Sequence, residues 1–363
     1  MKRRDFLRTG TAATLAAPVI AAPAIAQSAP EIKWRMTSSF PKSLDTVFGA
    51  AQMLCRYIAE ATDGKFQIQP FQAGELASSL QALDAVSSGS VECAHTPTYF
   101  YTAKDPTLAF GTGLPFGLNS RHQQSWWVFG GGAEIVNAVL HKFNVHGIPA
   151  GNSGTQMGGW FRKEINSIDD LKGLKFRIGG MGGAVLARVG VVPQQIVPSE
   201  VASALDRGTI DAAEFVGPYD DEKLGLSRVA RYYYYPGWWE GGAMLHMVVN
   251  LERWNALPKA YKAVVAQACD AANTWMLAKY DAVNAPALKR LLAAGVVLKP
   301  FPQPVLEACY RAANEHYAEL AAKHAQFRKA LDSVNAFRSD QLPWWKISEH
   351  AFDSFMIGTR ARA

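Results

Sequence analysis

The alternation of short strand patterns with helical patterns limits most strongly what this chain can fold into. Ile32, Trp34 and Met36 alternate with polar residues, the period of a strand with one buried face. Ser38-Ser39-Phe40-Pro41 breaks that run, a helical stretch over 44–62 ends at Gly64, and Phe66 to Phe71 reads as the next strand. Strand, helix and strand in this order predict a parallel pair. A second helix is expected over 76–88, followed by a strand over 91–96. That strand runs into the aromatic loop Pro97-Thr98-Tyr99-Phe100-Tyr101. The carboxyl end of a strand is where open α/β sheets bind ligands. Helices over 119–129 and 133–143 and a strand over 145–150 close the first block.

A polar, glycine-rich run, Gly151-Asn152-Ser153-Gly154-Thr155, reads as a crossover, and Trp160-Phe161 opens a new strand. Further strands are expected over 191–197, 210–216 and 245–250, with a helix capped by Ser199. From residue 258 the pattern is mainly helical. It predicts a long helix from Lys259 to Ala293, a short strand over 296–300, a helix from Val305, and a last helix over 347–357 after Pro343-Trp344-Trp345. No period of 20–50 residues recurs, which argues against a solenoid. The expectation is an α/β chain of two lobes with crossovers near residues 151 and 240. Its 363 residues are long enough for two domains.

Charge narrows the partners. The formal net charge is +6, but residues 1–26 have the layout of an export signal. Arg3-Arg4 precedes an apolar run ending at Ala24-Ile25-Ala26, which resembles a twin-arginine signal. Those residues hold Lys2, Arg3, Arg4, Arg8 and Asp5, so their removal leaves +6 − 3 = +3. That is no nucleic-acid signature, and the product is expected in the periplasm. Cys55, Cys93, Cys269 and Cys309 form no CxxC pair. They read as buried thiols, with one disulfide the alternative.

One stretch organises the second block: Ser167-Ile168-Asp169-Asp170-Leu171-Lys172-Gly173-Leu174-Lys175-Phe176-Arg177-Ile178. It reads as a capped helical turn, a glycine turn and a strand. Leu174, Phe176 and Ile178 form the buried face, with Arg177 on the other face beside Lys175. Arg177 is either an ordinary solvated residue or a fork for a carboxylate. The following Gly179-Gly180-Met181-Gly182-Gly183 lacks the Gly-Lys-Ser/Thr of a phosphate loop and reads as a tight strand-to-helix turn.

The string from Asp170 to Arg177, with its spacing to Gly208-Thr209-Ile210-Asp211-Ala212-Ala213-Glu214, resembles the DctP-like solute-binding proteins of tripartite ATP-independent periplasmic (TRAP) transporters. The resemblance covers nearly all of the chain beyond residue 26. The words Glu214-Phe215-Val216-Gly217-Pro218-Tyr219-Asp220-Asp221 and Trp238-Trp239-Glu240-Gly241 are similar to the subgroup binding 2-oxo and 2-hydroxy monocarboxylates with a metal ion. It implies a two-lobe periplasmic-binding-protein-like fold with a long lobe-spanning helix and C-terminal helices. Lobe I would take 27–150 and about 241–270, and lobe II 151–240 and about 290–305. The connecting helix would be 259–293 and the C-terminal helical region 305–363.

By the same resemblance, Arg177 takes the ligand carboxylate, and Gln156, Glu214, Glu240 and the backbone carbonyl of Phe215 hold a cation. Gln156 also faces the ligand, with Tyr101 and Asn152 as further pocket candidates; His95 reads as a satisfied strand histidine. The donors are all oxygen, which suits Na⁺ or Ca²⁺ rather than Zn²⁺. A buried carboxylate needs a paired positive charge, and two acids beside it would repel it without a cation. The implied partners are a small monocarboxylate, the membrane subunits of a TRAP permease, and a second copy through the C-terminal helices. The rival is an exported metal-assisted enzyme using Glu214 and Glu240. Against it, the chain has no GxSxG, no HExxH, and no Ser/His/Asp set at a recognised spacing.

Overall fold

The computed structural model describes residues 30–360, so the expected export signal over 1–26 lies outside the described residues. Two sheets form. The first is built from β1 (Ile32–Ser38), β2 (Phe66–Phe71), β3 (Cys93–Thr96) and β4 (Val145–Asn152). Between these strands lie α1 (Val47–Ala61), α2 (Ala82–Ser87), α3 (Ala109–Thr112), α4 (Ser120–Phe129) and α5 (Gly132–Leu140). β1 pairs in parallel with both β2 and β3, as strand–helix–strand order predicts.

The second sheet takes β5 (Trp160–Phe161), β6 (Lys175–Arg177), β7 (Val192–Gln194), β8 (Ala212–Ala213) and β9 (Tyr232–Tyr235). Its helices are α6 (Gly182–Arg188), α7 (Val201–Asp206) and α8 (Pro218–Leu224). The chain then returns to the first sheet. β10 (Met244–Asn250), buried at every position, inserts antiparallel between β3 and β4. α9 (Leu251–Ala256) and α10 (Lys259–Ala293) follow, then β11 (Val297–Pro300), which pairs with β9 on the edge of the second sheet. The orders are β2-β1-β3-β10-β4 and β11-β9-β5-β8-β6-β7. Up to β11 the chain therefore crosses between lobes three times: after β4, before β10, and along α10.

α10 ties the two halves together. Tyr261, Val265, Ala268, Cys269 and Ala272 pack into the core under the first sheet. Further along, Met276, Tyr280 and Leu291 enter a second core with Trp160, Ile210 and Tyr233. α11 (Gln303–Lys323), α12 (Ala325–Ile347) and α13 (Glu349–Arg360) end the chain. All four cysteines are free thiols and buried.

Several expectations change in detail. Residues 76–81 are not helical. The Ser39 and Ser79 hydroxyls each donate to the other's backbone carbonyl, at 2.7 and 2.8 Å, which holds that segment against β1's exit. The expected strand over 210–216 shrinks to Ala212–Ala213, because Glu214 and Val216 leave the ladder to build the site described below. Tyr232 to Tyr235 form a strand that the unbroken tyrosine run does not announce, since it lacks alternation. Pro198–Glu200 forms a short 3-10 turn ahead of α7, with no side-chain cap from Ser199. Trp344 and Trp345 lie inside α12 despite Pro343.

Candidate functional site

The stretch that organises the second block folds as its residues dictate. Ser167 and Asp170 form a reciprocal capping box on the turn Ile168–Leu171, and Gly173 adopts φ +74° where a side chain would be strained. β6 then delivers Arg177 into the interior. Lys175, two residues earlier, is exposed, whereas Arg177 is only 5% exposed. The strand end turns inward, so sharing a face with Lys175 does not solvate the arginine.

Arg177 is held on three sides. Its Nε donates to the Ile196 carbonyl at 3.1 Å, and its Nη1 donates to the Glu214 carbonyl and to Glu214 Oε1 at 2.9 Å. The guanidinium carbon lies 5.8 Å from the centre of the Phe215 ring. Among the described residues Nη2 has no partner, so one prong of the fork remains free. Glu214 is in turn fixed by its backbone N–H on the Arg177 carbonyl and by the Gly179 N–H on Oε1 at 2.8 Å.

The two crossovers bring the other groups. Gln156 N–H donates to the Glu240 carbonyl at 3.1 Å, and Gly237 N–H donates to the Gln156 carbonyl at 2.9 Å. Met157 N–H reaches the Val216 carbonyl. Gln156, Glu240 and the 214–216 segment are thus locked together by backbone bonds. Gln156 Nε2 donates to Ser153 Oγ at 3.2 Å, which aims Oε1 away, and that oxygen is buried without a partner. Glu240 Oε2 is likewise buried and unpartnered. No hydrogen bond from the described residues reaches the Phe215 carbonyl.

The electrostatics are unbalanced. Glu214, Glu240 and Arg177 are each 5% exposed or less, so the buried charges sum to −2 + 1 = −1. Burial pushes the Glu214 carboxyl above its ordinary value, against the pull of Arg177 and the Gly179 N–H. Glu240 is pushed well above the usual range, first by burial and then by the negative charge of Glu214. Two orphaned oxygens, a free carbonyl and a surplus negative charge fit a hard cation. Among the described residues no three His, Cys, Asp or Glu side chains gather as a metal cluster. The oxygens gathered here come from two carboxylates, an amide and a backbone carbonyl.

The first lobe closes over these groups. A small cavity of about 20 Å³ is lined by Gln156, Arg177, Phe215 and Val216 on one side and by Phe40, Val47, Tyr99 and Leu245 on the other. Tyr99 is a residue that the sequence pattern passes over. Its hydroxyl faces Glu240, and its ring lies on the Gly179-Gly180 turn. A Cβ at either glycine would come within 2.9–3.0 Å of that ring. The glycine cluster is a tight turn, as its residues predict, but it also admits an aromatic ring from the other lobe. The signal was available: Tyr99 follows a strand's carboxyl end.

Two expected pocket residues do not line this cavity. Tyr101 is turned into the first lobe's core, where its hydroxyl meets Thr96 Oγ1 at 2.8 Å and the Leu83 N–H at 3.2 Å. Thr98–Tyr101 form a 3-10 turn of about three residues per turn, which sends Tyr99 and Tyr101 different ways. Asn152 Oδ1 accepts the Gly154 N–H and shapes the crossover, while its Nδ2 is buried without a partner. His95 Nε2 donates to the Ala150 carbonyl at 3.0 Å, and its Nδ1 has no partner.

Two α/β lobes joined by crossovers, with buried charges sealed between them, define a protein that encloses a small polar ligand. The chain belongs to family 7 of the bacterial extracellular solute-binding proteins, the DctP family, whose profile matches residues 37–324. It is 47% identical over 360 residues to a monocarboxylate 2-oxoacid-binding periplasmic protein of Nostoc sp., covering 98% of this chain and 99% of that one. Among solved structures, a TRAP transporter solute-binding protein of Bordetella bronchiseptica superposes with a TM-score of 0.91 at 47% identity, over 92% of this chain and 99% of that one. That protein is a mixed-occupancy dimer, with copurified calcium and picolinate in one site and the other site empty. A TRAP periplasmic solute-binding protein of Colwellia psychrerythraea, with bound calcium and pyruvate, matches with a TM-score of 0.87 at 34% identity, over 89% of this chain and 99% of that one. One from Pseudoalteromonas atlantica, with sodium and pyruvate, gives 0.87 at 35% identity, over 89% and 99%.

Proposed function

We propose that this chain is a periplasmic receptor that binds a small 2-oxo or 2-hydroxy monocarboxylate together with a calcium or sodium ion and delivers it to a TRAP permease. The observation that carries this reading is the buried set Arg177, Glu214, Glu240 and Gln156, with one free guanidinium prong and orphaned oxygens around it. Arg177 Nη2 receives the ligand carboxylate. Gln156 Oε1, Glu214, Glu240 and the Phe215 carbonyl hold the cation. When bound, the cation offsets the acids' charge and lets the carboxylate and its 2-oxygen bind beside them. Tyr99 carries the first lobe onto Glu240. The smallness of the cavity and the apolar wall of Phe40, Val47 and Leu245 favour a ligand with one charged end.

Around this site, residues 27–150 and about 241–270 act as one lobe, and 151–240 with about 290–305 as the other. The twin-arginine-like segment at 1–26 supports export to the periplasm. The enzyme reading gains little from the site: among the described residues no histidine or cysteine lines the cavity. The relatives that bind pyruvate with calcium or sodium support a receptor.

Calorimetry of pyruvate into the chelator-treated protein, with calcium then restored, tests the proposal. Binding is expected only with the ion present, together with a rise in melting temperature on adding both, and no consumption of pyruvate. A ligand at one hundred times its Kd stabilises by about 2.7 kcal/mol. Undiminished binding in chelator would overturn the shared site, and turnover of pyruvate would overturn the receptor.

A further inference from the structure

Beside the ligand cavity, on the α10 side, the two lobes grip each other through groups that touch no part of it. The segment before α1 supplies Ser43, Asp45 and Thr46. Thr46 is fully buried, and its hydroxyl lies 2.7 Å from both oxygens of Asp220 in α8. Asp220 also accepts from the Tyr280 hydroxyl of α10 at 2.5 Å. Asp45 is gripped by cations from two elements. Lys279 of α10 donates to its Oδ2 and to its carbonyl, both at 2.7 Å, and Lys223 of α8 pairs with its Oδ1. Lys223 also reaches the Ser43 carbonyl at 3.3 Å and lies 4.5 Å from the centre of the Tyr219 ring. The Tyr219 hydroxyl donates to Asp45 Oδ2 at 3.3 Å.

These residues are neighbours of the cavity wall in sequence. Val47 follows Thr46, and Val216 precedes Asp220 by four positions; both line the cavity. Segment 43–46 therefore cannot leave α8 without drawing Val47 and Phe40 off the site. Thr46 and Asp45 bond to four residues across the lobe boundary or on α10: Asp220, Tyr219, Lys223 and Lys279. We propose that Asp45, Thr46, Asp220, Lys223 and Lys279 form a clasp that holds the lobes closed and sets how long the ligand stays. They are positioning residues, acting on the ligand through closure rather than contact. The clasp rests on the receptor reading, because residence time has meaning only for a bound ligand.

Thr46→Val and Lys223→Met each remove lobe-to-lobe bonds while leaving Arg177, Gln156, Glu214 and Glu240 untouched. Pyruvate dissociation is measured by stopped flow with calcium present, alongside association and the melting temperature of the ligand-free protein. The expected result is dissociation about tenfold faster, roughly 1.4 kcal/mol, with association within twofold and melting little changed. Dissociation within twofold of wild type in both variants overturns the clasp. Lys223 is exposed, so its variant remains informative if Thr46→Val folds poorly. A wild-type protein that gives no pyruvate signal sinks the receptor reading instead. The clasp is then judged by spin-label distances between the lobes of ligand-free protein, which lengthen in the variants if it closes them and stay unchanged if it does not.

Discussion

Arg177 concentrates the reading at the residue scale. Its Nε and Nη1 are spent on Ile196 and Glu214, which orients the plane of the guanidinium and leaves Nη2 for a ligand. Lysine cannot reproduce this, because its ammonium is a point donor without a rigid fork. In Arg177→Lys, the new ammonium faces Glu214 and abandons either the carbonyls or the ligand. Pyruvate affinity with calcium present is expected to fall by two or more orders of magnitude, on the order of 3 kcal/mol. Calorimetry showing affinity within threefold of wild type would remove Arg177 from ligand binding. The arginine was legible in the sequence as a candidate but not as a buried one. Alternation put it with Lys175, and only the strand's inward turn separates the two. The aromatic loop was legible as a ligand-facing segment, but Tyr99's own role in it was not. Nothing local says which of two tyrosines two residues apart, Tyr99 or Tyr101, faces the other lobe.

At the scale of elements, long periodic segments were legible and short site-building ones were not. The long helix occupies Lys259–Ala293 as its pattern predicts. By contrast β8 is two residues long, since the chain after it follows the geometry of the site rather than strand propensity. The C-terminal helix α13 is the other telling element. Its described residues 351–359 are all exposed, and its apolar Phe352, Phe355 and Met356 recur at helical spacing. Phe352 and Phe355 are 64% and 69% exposed, and Trp344 and Ile347 at the end of α12 add to the same apolar region. Exposed apolar surface of this kind marks an interaction site. Self-association through these helices accords with the implication of the sequence resemblance and with the dimer of the Bordetella protein. The paired change Phe352→Glu and Phe355→Glu is expected to convert a dimer to a monomer in gel filtration coupled to light scattering. Because both side chains project into solvent, the melting temperature of the monomer should change little. A wild-type protein that elutes as a monomer, or a double variant that remains dimeric, would rule this interface out.

The whole molecule carries more buried ionisable groups than its ligand site needs, and they pull its stability in opposite directions. Burial lowers His95 to about 4 and His246 to about 3. These histidines stay neutral in the folded chain, so their contribution is present above their unfolded pKa of about 6.5 and is lost as pH falls through the folded values. Buried carboxyls act in the other sense. Burial raises Asp221 to about 7, even though Trp160, Tyr233 and the Val216 N–H all donate to it, and raises Asp220 to about 6. Their contribution is complete below about 3.9, the unfolded value, and is lost as pH rises through 6 and 7. Glu214 and Glu240 are raised by burial as well and share that sign. At pH 6.5 these histidines are neutral in the folded chain and half charged in the unfolded one, so a small gain remains as pH rises; the four raised carboxyls pull the other way and decide the slope. The ligand-free protein is therefore expected to melt lower at pH 8 than at pH 6.5, each group contributing at most about 1.4 kcal/mol per pH unit. With calcium and pyruvate bound, Glu214 and Glu240 are anionic throughout, and the decline should shrink to the part owed to Asp220 and Asp221. Melting curves at the two pH values, with and without calcium and pyruvate, check both statements. A ligand-free protein that gains stability over this interval would mean that the buried carboxyls are already ionised at pH 6.5. An equal decline with and without ligand would mean that Glu214 and Glu240 do not hold the cation.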